Sequence, residues 1–572
     1  MIKKLQRWLR TLHTVRHLRL RQACYFFLRR GIGARRVSPS TGKIVRRVIE
    51  LDPVFTFSHS DVDFVSHEFS FLNNTVSFPR GAMNWQPREP QRLWRYNLHY
   101  FDFLLDEKRS LHEKITLIED WIANNPQGSE PAWEPYTASL RIVNWCRFFW
   151  SLPQETVSDH WLQSLNTQVR WLEKNLELHI LANHYFENIK AMLFAGMFFD
   201  DRHSARWLRV FQVELIRELH EQTLSDGGHY ERSPQYHCIL LEGYLDLHAL
   251  LHGNTTSVDN KTLDTLTETI NNGLRFLATI ATPDDDIPLF NDSASGTASR
   301  PSVIFDKARQ RGFAVETPRS GIIDLPDSGL FGWKSGDDYF LIDCGAIGPV
   351  YQPGHTHCDL LSFVLMLDRR WVVVDSGVCE YEPGPLRQYV RSTAAHNTVT
   401  IDDHEQSEIW GEFRVGRRAR VLGASIKEEG YSIVFEGEYR GFPTIAAGVT
   451  HRRRAVLHLL EDGRIRILDI EDIVEGRDRQ PAYEIKTLLH LHPDLRVGQT
   501  NPSPHTGTSV EIMGDQLAVA ILRSPAPISM ARESSWFCPE FGLHRSNIAL
   551  LVQKSSRLPA RLNYRLEASR TD

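Results

Sequence analysis

Hydrophobic spacing in this chain changes character once, and that change limits the fold more than any other feature. From about Leu93 to Leu277, apolar residues recur every three or four positions, with Leu, Trp and Phe set among Glu and few β-branched runs. Ser139–Trp150, Trp161–Leu178, Tyr185–Phe199, Trp207–Thr223 and Ile239–Leu251 therefore read as consecutive amphipathic helices. After Pro283 come Asp284-Asp285-Asp286, Asn291-Asp292-Ser293 and a loop-rich stretch to Asp327. Beyond Gly329 short runs alternate apolar and polar residues between Gly, Pro and Asp. Tyr339–Ile342, Leu361–Leu365, Trp371–Val374 and Asn397–Ile401 are such runs, and they read as strands. The expectation is an α-helical domain followed by antiparallel sheets packed as a sandwich, with the boundary near residue 325.

At 572 residues the chain is long enough for two hydrophobic cores. Its 41% hydrophobic and 24% charged residues disfavour disordered, collagen-like and membrane classes, and no apolar run is long enough to span a bilayer. A formal charge of −5 provides no global basic field, which argues against a nucleic-acid partner. A polyanionic substrate would need local arginines. The seven cysteines are scattered without a CxxC pair and suggest neither a disulfide framework nor a cysteine zinc site.

The first 36 residues are basic, with Lys3, Lys4, Arg7, Arg10, Arg16, Arg19, Arg21, Arg29, Arg30, Arg35 and Arg36 interleaved with Leu, Trp and Phe. No uninterrupted apolar core or clear cleavage site marks a secretory signal. Such a segment suits a peripheral contact with an anionic membrane face or another protein, or a helix packed on the first domain. The expected organisation is a basic segment over residues 1–60, a helical domain over 61–325 and a β-sandwich domain over 326–572.

Three clusters concentrate titratable groups. Ala182-Asn183-His184-Tyr185-Phe186-Glu187-Asn188 opens a helix, with Asn183 and Glu187 on one face. Asn183 would present its amide to a ligand or act as an ordinary N-cap. Asp226-Gly227-Gly228-His229-Tyr230-Glu231-Arg232-Ser233-Pro234-Gln235-Tyr236-His237 is a turn that permits close backbone approach. Tyrosine is a poor base unless cations or donors stabilise its phenolate, as Arg232 and the histidines would; otherwise Tyr236 is a half-buried core residue.

Gly354-His355-Thr356-His357-Cys358-Asp359 leads towards a strand. If that strand starts at His355, then His355 and His357 share a face with Asp359 behind them. Asp375 and His396 follow. Two histidines and a carboxylate suit zinc and leave one histidine for catalysis, although unrelated histidines on strands are common.

The ordered set Asn183-His184, Glu231-Arg232-Ser233-Pro234-Gln235-Tyr236, Phe290-Asn291-Asp292-Ser293, Gly354-His355-Thr356-His357-Cys358-Asp359 and Arg391-Ser392-Thr393-Ala394-Ala395-His396-Asn397-Thr398-Val399 resembles the heparinase II/III family of polysaccharide lyases. Trp133-Glu134-Pro135-Tyr136 and Ser139-Leu140-Arg141-Ile142-Val143-Asn144-Trp145 extend the likeness, which runs from about Trp85 to Gly542. The resemblance implies an α/α toroid followed by an antiparallel β-sandwich. It also implies a catalytic set of Asn183, His184, Tyr236 and His355, with Asn183 on the substrate carboxylate. Arg141, Glu231, Arg232, Asn291 and Arg391 are the expected substrate contacts. His357, Asp375 and His396 are implied zinc ligands in a mainly structural role, and no organic cofactor is expected. Cys358 departs from the small residue usual inside the histidine motif.

The implied reaction is β-elimination on an acidic polysaccharide. The site must neutralise a uronate carboxylate, remove the C5 proton and protonate the departing O4 oxygen. Tyr236 and His355 are the candidates for the proton transfers, with their roles depending on the substrate epimer. Heparan-like, alginate-like and capsular or exopolysaccharide substrates remain open, with a lean towards a bacterial exopolysaccharide. A glycoside hydrolase would instead need two carboxylates, for which Glu134, Asp226, Glu231 and Asp292 are available. A non-catalytic glycan-binding factor in exopolysaccharide assembly is the other rival. In either case Trp85, Trp94, Trp133 and Trp145 would stack on sugars or, as large aromatics more often do, sit in the core. The resemblance implies a cell-envelope or periplasmic location, with the cytoplasm as the alternative. No assembly state follows from the sequence.

Overall fold

The structure is a computed structural model that describes residues 2–40, 43–49, 67–79, 82–254, 257–316, 320–445, 448–476, 482–503, 507–515, 517–531 and 535–570. Two compact units make up the chain. One comprises Arg19–Gln222 and Leu240–Asn271, and the other Met1–Leu18, Thr223–Ile239 and Asn272–Asp572. Gly321 opens the first strand of the sheet-rich half, close to residue 325. That boundary therefore marks a change of secondary structure and not the edge of a compact unit.

In the helical unit, the expected helices form as Pro135–Ser151, Asp159–Lys174, Ala182–Phe198 and Arg202–Gln222, preceded by Arg92–Tyr100 and Leu111–Asn124. Local signals set their starts. Ser110 and Ser158 accept hydrogen bonds from the amides of Glu113 (3.1 Å) and Trp161 (3.3 Å), and Pro135 begins its helix where no amide donor is needed. The buried faces converge on tryptophans, with the Trp121 and Trp145 rings edge-to-face at 5.5 Å. Truncating any of these to Ala would cost about 3–5 kcal/mol. Trp85, Trp94, Trp133 and Trp145 are all buried in this core, so none is a sugar-stacking platform.

The sheet-rich unit holds three main antiparallel sheets among the described residues. A five-stranded meander runs from Gly321–Leu325 to Arg370–Val373, and an eight-stranded sheet runs from Arg420–Glu429 at one edge to Arg496–Ser503 at the other. The third sheet has four strands and includes Val399–Ile401 and Tyr483–His490. Their inner faces share one apolar core, including Phe340, Phe363, Phe435, Leu457, Ile485 and Val552. Period-two alternation places these side chains inward.

The basic N-terminal segment forms two helices, Ile2–Val15 and Leu20–Ile32, each packed on protein. In the sheet-rich unit, Arg10 pairs with Glu408 at 3.0 Å and Thr14 donates to the Val415 carbonyl at 3.2 Å. In the helical unit, Gln22 donates to the Ile180 carbonyl at 3.3 Å and Arg21 lies over the Tyr185 ring. Trp8, Leu20 and Phe27 remain exposed. Among the described residues, no helix is long and apolar enough to cross a membrane.

Candidate active site

Tyr236 lies in the first turn of the Pro234–His252 helix, where Ser233 Oγ accepts from its amide at 3.3 Å. Ser233 Oγ also donates to the Asp292 carbonyl at 2.7 Å, and Gln235 Oε1 accepts from the Ala294 amide at 2.9 Å. The helix start and the 291–295 loop are thereby one hydrogen-bonded piece. The preceding turn needs its glycines. Gly227 has φ +88°, and a Cβ there would sit 2.3 Å from the Asn272 carbonyl oxygen.

Tyr236 is 9% exposed, and its ring lies against the His355 ring with centroids 4.0 Å apart. Its hydroxyl hydrogen-bonds that of Tyr381 at 3.2 Å. Burial, with Tyr381, Asp292 and Glu231 nearby, holds the phenol well above its ordinary value, so Tyr236 carries its proton.

Asp292 is the hub of the site. One carboxylate oxygen is 2.9 Å from His355 Nδ1, and the other is 2.8 Å from His357 Nε2. Arg387 grips both oxygens, with its second contact at 2.9 Å. Burial pushes the carboxyl up, but Arg387 and the hydrogen bonds from the two histidines more than reverse this and hold it well below the usual range. Glu231 lies 3.2 Å from His355 Nε2, so the ring sits between two carboxylates. The expected strand at His355 does not form, and the histidine motif is a loop. His355 and His357 converge because both bond Asp292, not through strand alternation.

Four expected substrate contacts hydrogen-bond within the protein. Arg141 is fully buried in the helical core, donating to Gln168 Oε1 at 2.8 Å and lying over the Trp121 ring. Arg391 is buried and donates to the carbonyls of Thr356, Gly411 and Arg414, clamping the histidine loop. Arg232 donates to the carbonyls of Asp327 and Ser328. Asn291 donates to the Arg232 carbonyl at 3.1 Å and accepts from the His357 amide at 3.0 Å. For Arg391, Arg232 and Asn291 the partners include loop carbonyls, whereas Arg141 keeps one guanidinium nitrogen without a hydrogen-bond partner. Glu231 alone of the five faces His355.

Asn183 and His184 belong to the helical unit. Leu181 is the N-cap of the Ala182–Phe198 helix, so Asn183 is buried inside the first turn and is not the cap. His184 Nδ1 is 3.0 Å from Glu177 Oε1, and its ring stands 4.5 Å from that of Tyr136. Left-handed backbone marks these places: Leu181 (φ 66°), Ala182 (φ 54°), Arg232 (φ 57°) and Asn291 (φ 56°). Only Asn adopts that region with some ease, so the surrounding structure imposes the conformation on the others.

Donor atoms of His357, Asp359 and His396, which could hold a metal ion, all lie within 4.8 Å of one another. Asp375, the carboxylate that the resemblance implies, adjoins this set through His396. Asp375 accepts from His396 Nδ1 at 2.8 Å and orients that ring, while Asp359 joins the group. His357 Nδ1 and His396 Nε2 are buried without hydrogen-bond partners, and burial pushes the Asp359 carboxyl up. Two orphaned imidazole nitrogens beside such a carboxylate fit a zinc ion.

Sequence reasoning missed Tyr381 and Arg387, whose only signal is a Gly-Pro loop crowded with titratable residues, Glu380-Tyr381-Glu382-Pro383-Gly384-Pro385-Leu386-Arg387. Asp292 was visible inside a motif, but only as a carboxylate for the hydrolase rival.

Heparinase II/III N-terminus matches residues 50–310, and Heparinase II/III-like, C-terminal matches residues 317–565. The chain belongs to the heparinase II/III family. A heparin-sulfate lyase of Pedobacter heparinus is 25% identical over 329 residues, covering 52% of this chain and 49% of that protein. One of Bacteroides thetaiotaomicron is 21% identical over 417 residues, covering 61% and 58%. The chain thus spans about half the length of these curated relatives. A solved heparinase III superposes with a TM-score of 0.65 at 16% identity, covering 86% of this chain and 79% of that one. A heparan sulfate lyase from Pedobacter heparinus gives 0.56 at 16%, covering 89% and 82%. The heparinase II/III fold is the α/α toroid followed by an antiparallel β-sandwich that the resemblance implied, and its helical and sheet-rich halves match the change in hydrophobic period.

Proposed function

We propose that this family member is a polysaccharide lyase that cuts a uronic-acid-containing glycan by β-elimination, leaving an unsaturated uronate end. The observation that carries the reading is the Tyr236 ring against that of His355, centroids 4.0 Å apart, with His355 held between Asp292 and Glu231. Two proton-transfer groups side by side suit removal of the C5 proton and protonation of O4. Because its surroundings keep Tyr236 protonated, the phenol is suited to donate to the departing oxygen. His355, oriented by Asp292, is the partner base. Asn183 takes the substrate carboxylate by family resemblance, with His184 beside it.

The carboxylates that hydrolysis would need are engaged. Glu231 and Asp292 face His355, Asp226 accepts from Ser328, and Glu134 accepts from Arg92 and Tyr96. Zinc held by His357, Asp359 and His396, with Asp375 orienting His396, would brace the loop that carries His355.

The relatives named as heparin-sulfate lyases make heparan sulfate the first substrate to try, followed by alginate and bacterial exopolysaccharides. Purified protein should generate the ultraviolet absorbance of an unsaturated uronate on at least one, and Tyr236→Phe and His355→Ala should abolish it. New reducing ends without that absorbance would mean hydrolysis and overturn the mechanism. Glycan binding without either product would indicate a binding protein.

A further inference from the structure

We propose that Cys379 and Cys538 are a redox modification site, two thiols that a small-molecule disulfide oxidises to a bond fastening the Tyr381 loop to the Trp536–Ser546 hairpin. The sulfurs are 3.1 Å apart across 159 residues of sequence, and both side chains are buried. Main-chain contacts hold the two segments together independently of the sulfurs. The Cys538 amide donates to the Ser376 carbonyl at 2.7 Å, Gly377 bridges Cys538, and the Gly542 amide donates to the Cys379 carbonyl at 2.9 Å. Neighbouring backbones of this kind suit disulfide geometry, which needs Cα atoms about 4.4–6.8 Å apart.

The pair sits next to the candidate chemistry. Tyr381, two residues after Cys379, bonds the Tyr236 hydroxyl, and its ring meets that of Phe541 edge-to-face at 5.0 Å. Phe541 lies three residues after Cys538. A bond between the cysteines would therefore tie together both segments that place Tyr381.

In the reaction, one protein thiol loses its proton and the thiolate attacks a sulfur of the oxidant, for example oxidised glutathione, expelling one glutathione thiolate. The second protein thiolate then attacks the mixed disulfide and expels the other. Two protein thiols lose two electrons and two protons, and the oxidant becomes two thiols. The contact with Cys379, together with burial, holds the Cys538 thiol up, so thiolate is scarce in the closed structure. The bond is therefore expected to form during folding, or when the hairpin opens, in an oxidising compartment.

The full chain would be refolded in glutathione buffers from reducing to oxidising, its remaining thiols alkylated, and its peptides mapped without reduction. A Cys379–Cys538 linked peptide should dominate in the oxidised sample. The melting temperature of that sample should exceed the reduced one by roughly 5 °C. Amide exchange at residues 378–382 should also slow. Cys379→Ala/Cys538→Ala should erase the difference between oxidised and reduced samples. Two alkylated cysteines under oxidising conditions, or a different pairing, would overturn the proposal. The wild-type map decides this even if the double variant fails to fold. Neither result depends on whether the protein is a lyase.

Discussion

The sheet-rich unit builds nearly the same ion cluster twice, once as structure and once at the candidate site. In the eight-stranded sheet, Arg453 of Val449–Leu459 stands directly opposite Asp472 of Ile465–Gly476. Asp472 receives Arg453 through Nε at 2.7 Å and through a second nitrogen at 2.9 Å, His451 at 2.9 Å and Thr487 at 2.7 Å, and His451, Arg453 and Asp472 are fully buried. Arg453 also donates to the carbonyls of Leu361 and Asn397. Asp292 likewise gathers an arginine fork and histidines, but its histidines come from a loop and its arginine from the short helix Pro385–Arg391. One of these histidines, His355, stays 11% exposed and lies against a tyrosine ring. A buried aspartate with arginine and histidine is therefore not in itself a site. A histidine pair on a loop, left-handed backbone at the neighbouring Asn291 and one accessible ring distinguish the cluster around Asp292.

The sharpest test of that distinction is Tyr236→Phe, which should lower kcat by roughly 10²–10⁴-fold while leaving the melting temperature close to wild type. Asp472→Ala should do the opposite. Leaving Arg453 buried and unpaired costs about 3–5 kcal/mol in denaturant unfolding, with turnover per folded molecule unchanged. A matching loss of kcat would erase the contrast. Asp292→Asn keeps the shape but removes the charge facing Arg387 and His355, so kcat should fall about 10–100-fold. Wild-type kcat in that variant would reduce the cluster to structure.

Elemental analysis should find zinc bound near stoichiometrically, and chelation should lower the melting temperature. His396→Ala should lose the metal, and an unchanged metal content would refute the assigned ligands.

The smallest effect is the pH dependence of stability. Burial pushes Asp472 up, but Arg453 and His451 reverse this and hold it below its ordinary value. Its stabilisation is complete above the unfolded value of about 3.9 and is lost as pH falls through the folded value. His99, buried between Trp121 Nε1 and the Trp85 carbonyl, is pushed down to about 3 by burial and by Arg141. It adds a loss that begins below about 6.5, where the unfolded histidine takes up a proton and the folded one does not. Denaturant midpoints measured from pH 7 to 4 should fall steadily, and a flat profile would contradict the neutral burial of His99.

The helices and most strands were legible because period and side-chain chemistry are local. Trp161–Leu178 was expected and Asp159–Lys174 forms, and Asn397–Ile401 contains the strand Val399–Ile401. The arginines were the least legible. Arg141 and Arg391 were expected as ligands for a polyanion, and in the fold they also bond Gln168 and loop carbonyls. A charge in a sequence does not reveal whether its partner is a substrate or the protein's own backbone.

By itself, then, the sequence determined where helices give way to sheets, and it supplied an ordered set of motifs specific enough to indicate the family. Only the tertiary structure decided that Asp292 joins His355, His357 and Arg387, and that Asp359 gathers with the histidine pair while Asp375 orients His396. It alone set Tyr381 against Tyr236 and Cys379 beside Cys538. The physical reason is range. Periodicity is written over a few neighbouring residues, whereas a buried charge, an orphaned imidazole or a thiol takes its partner from whichever distant loop the fold brings within bonding distance.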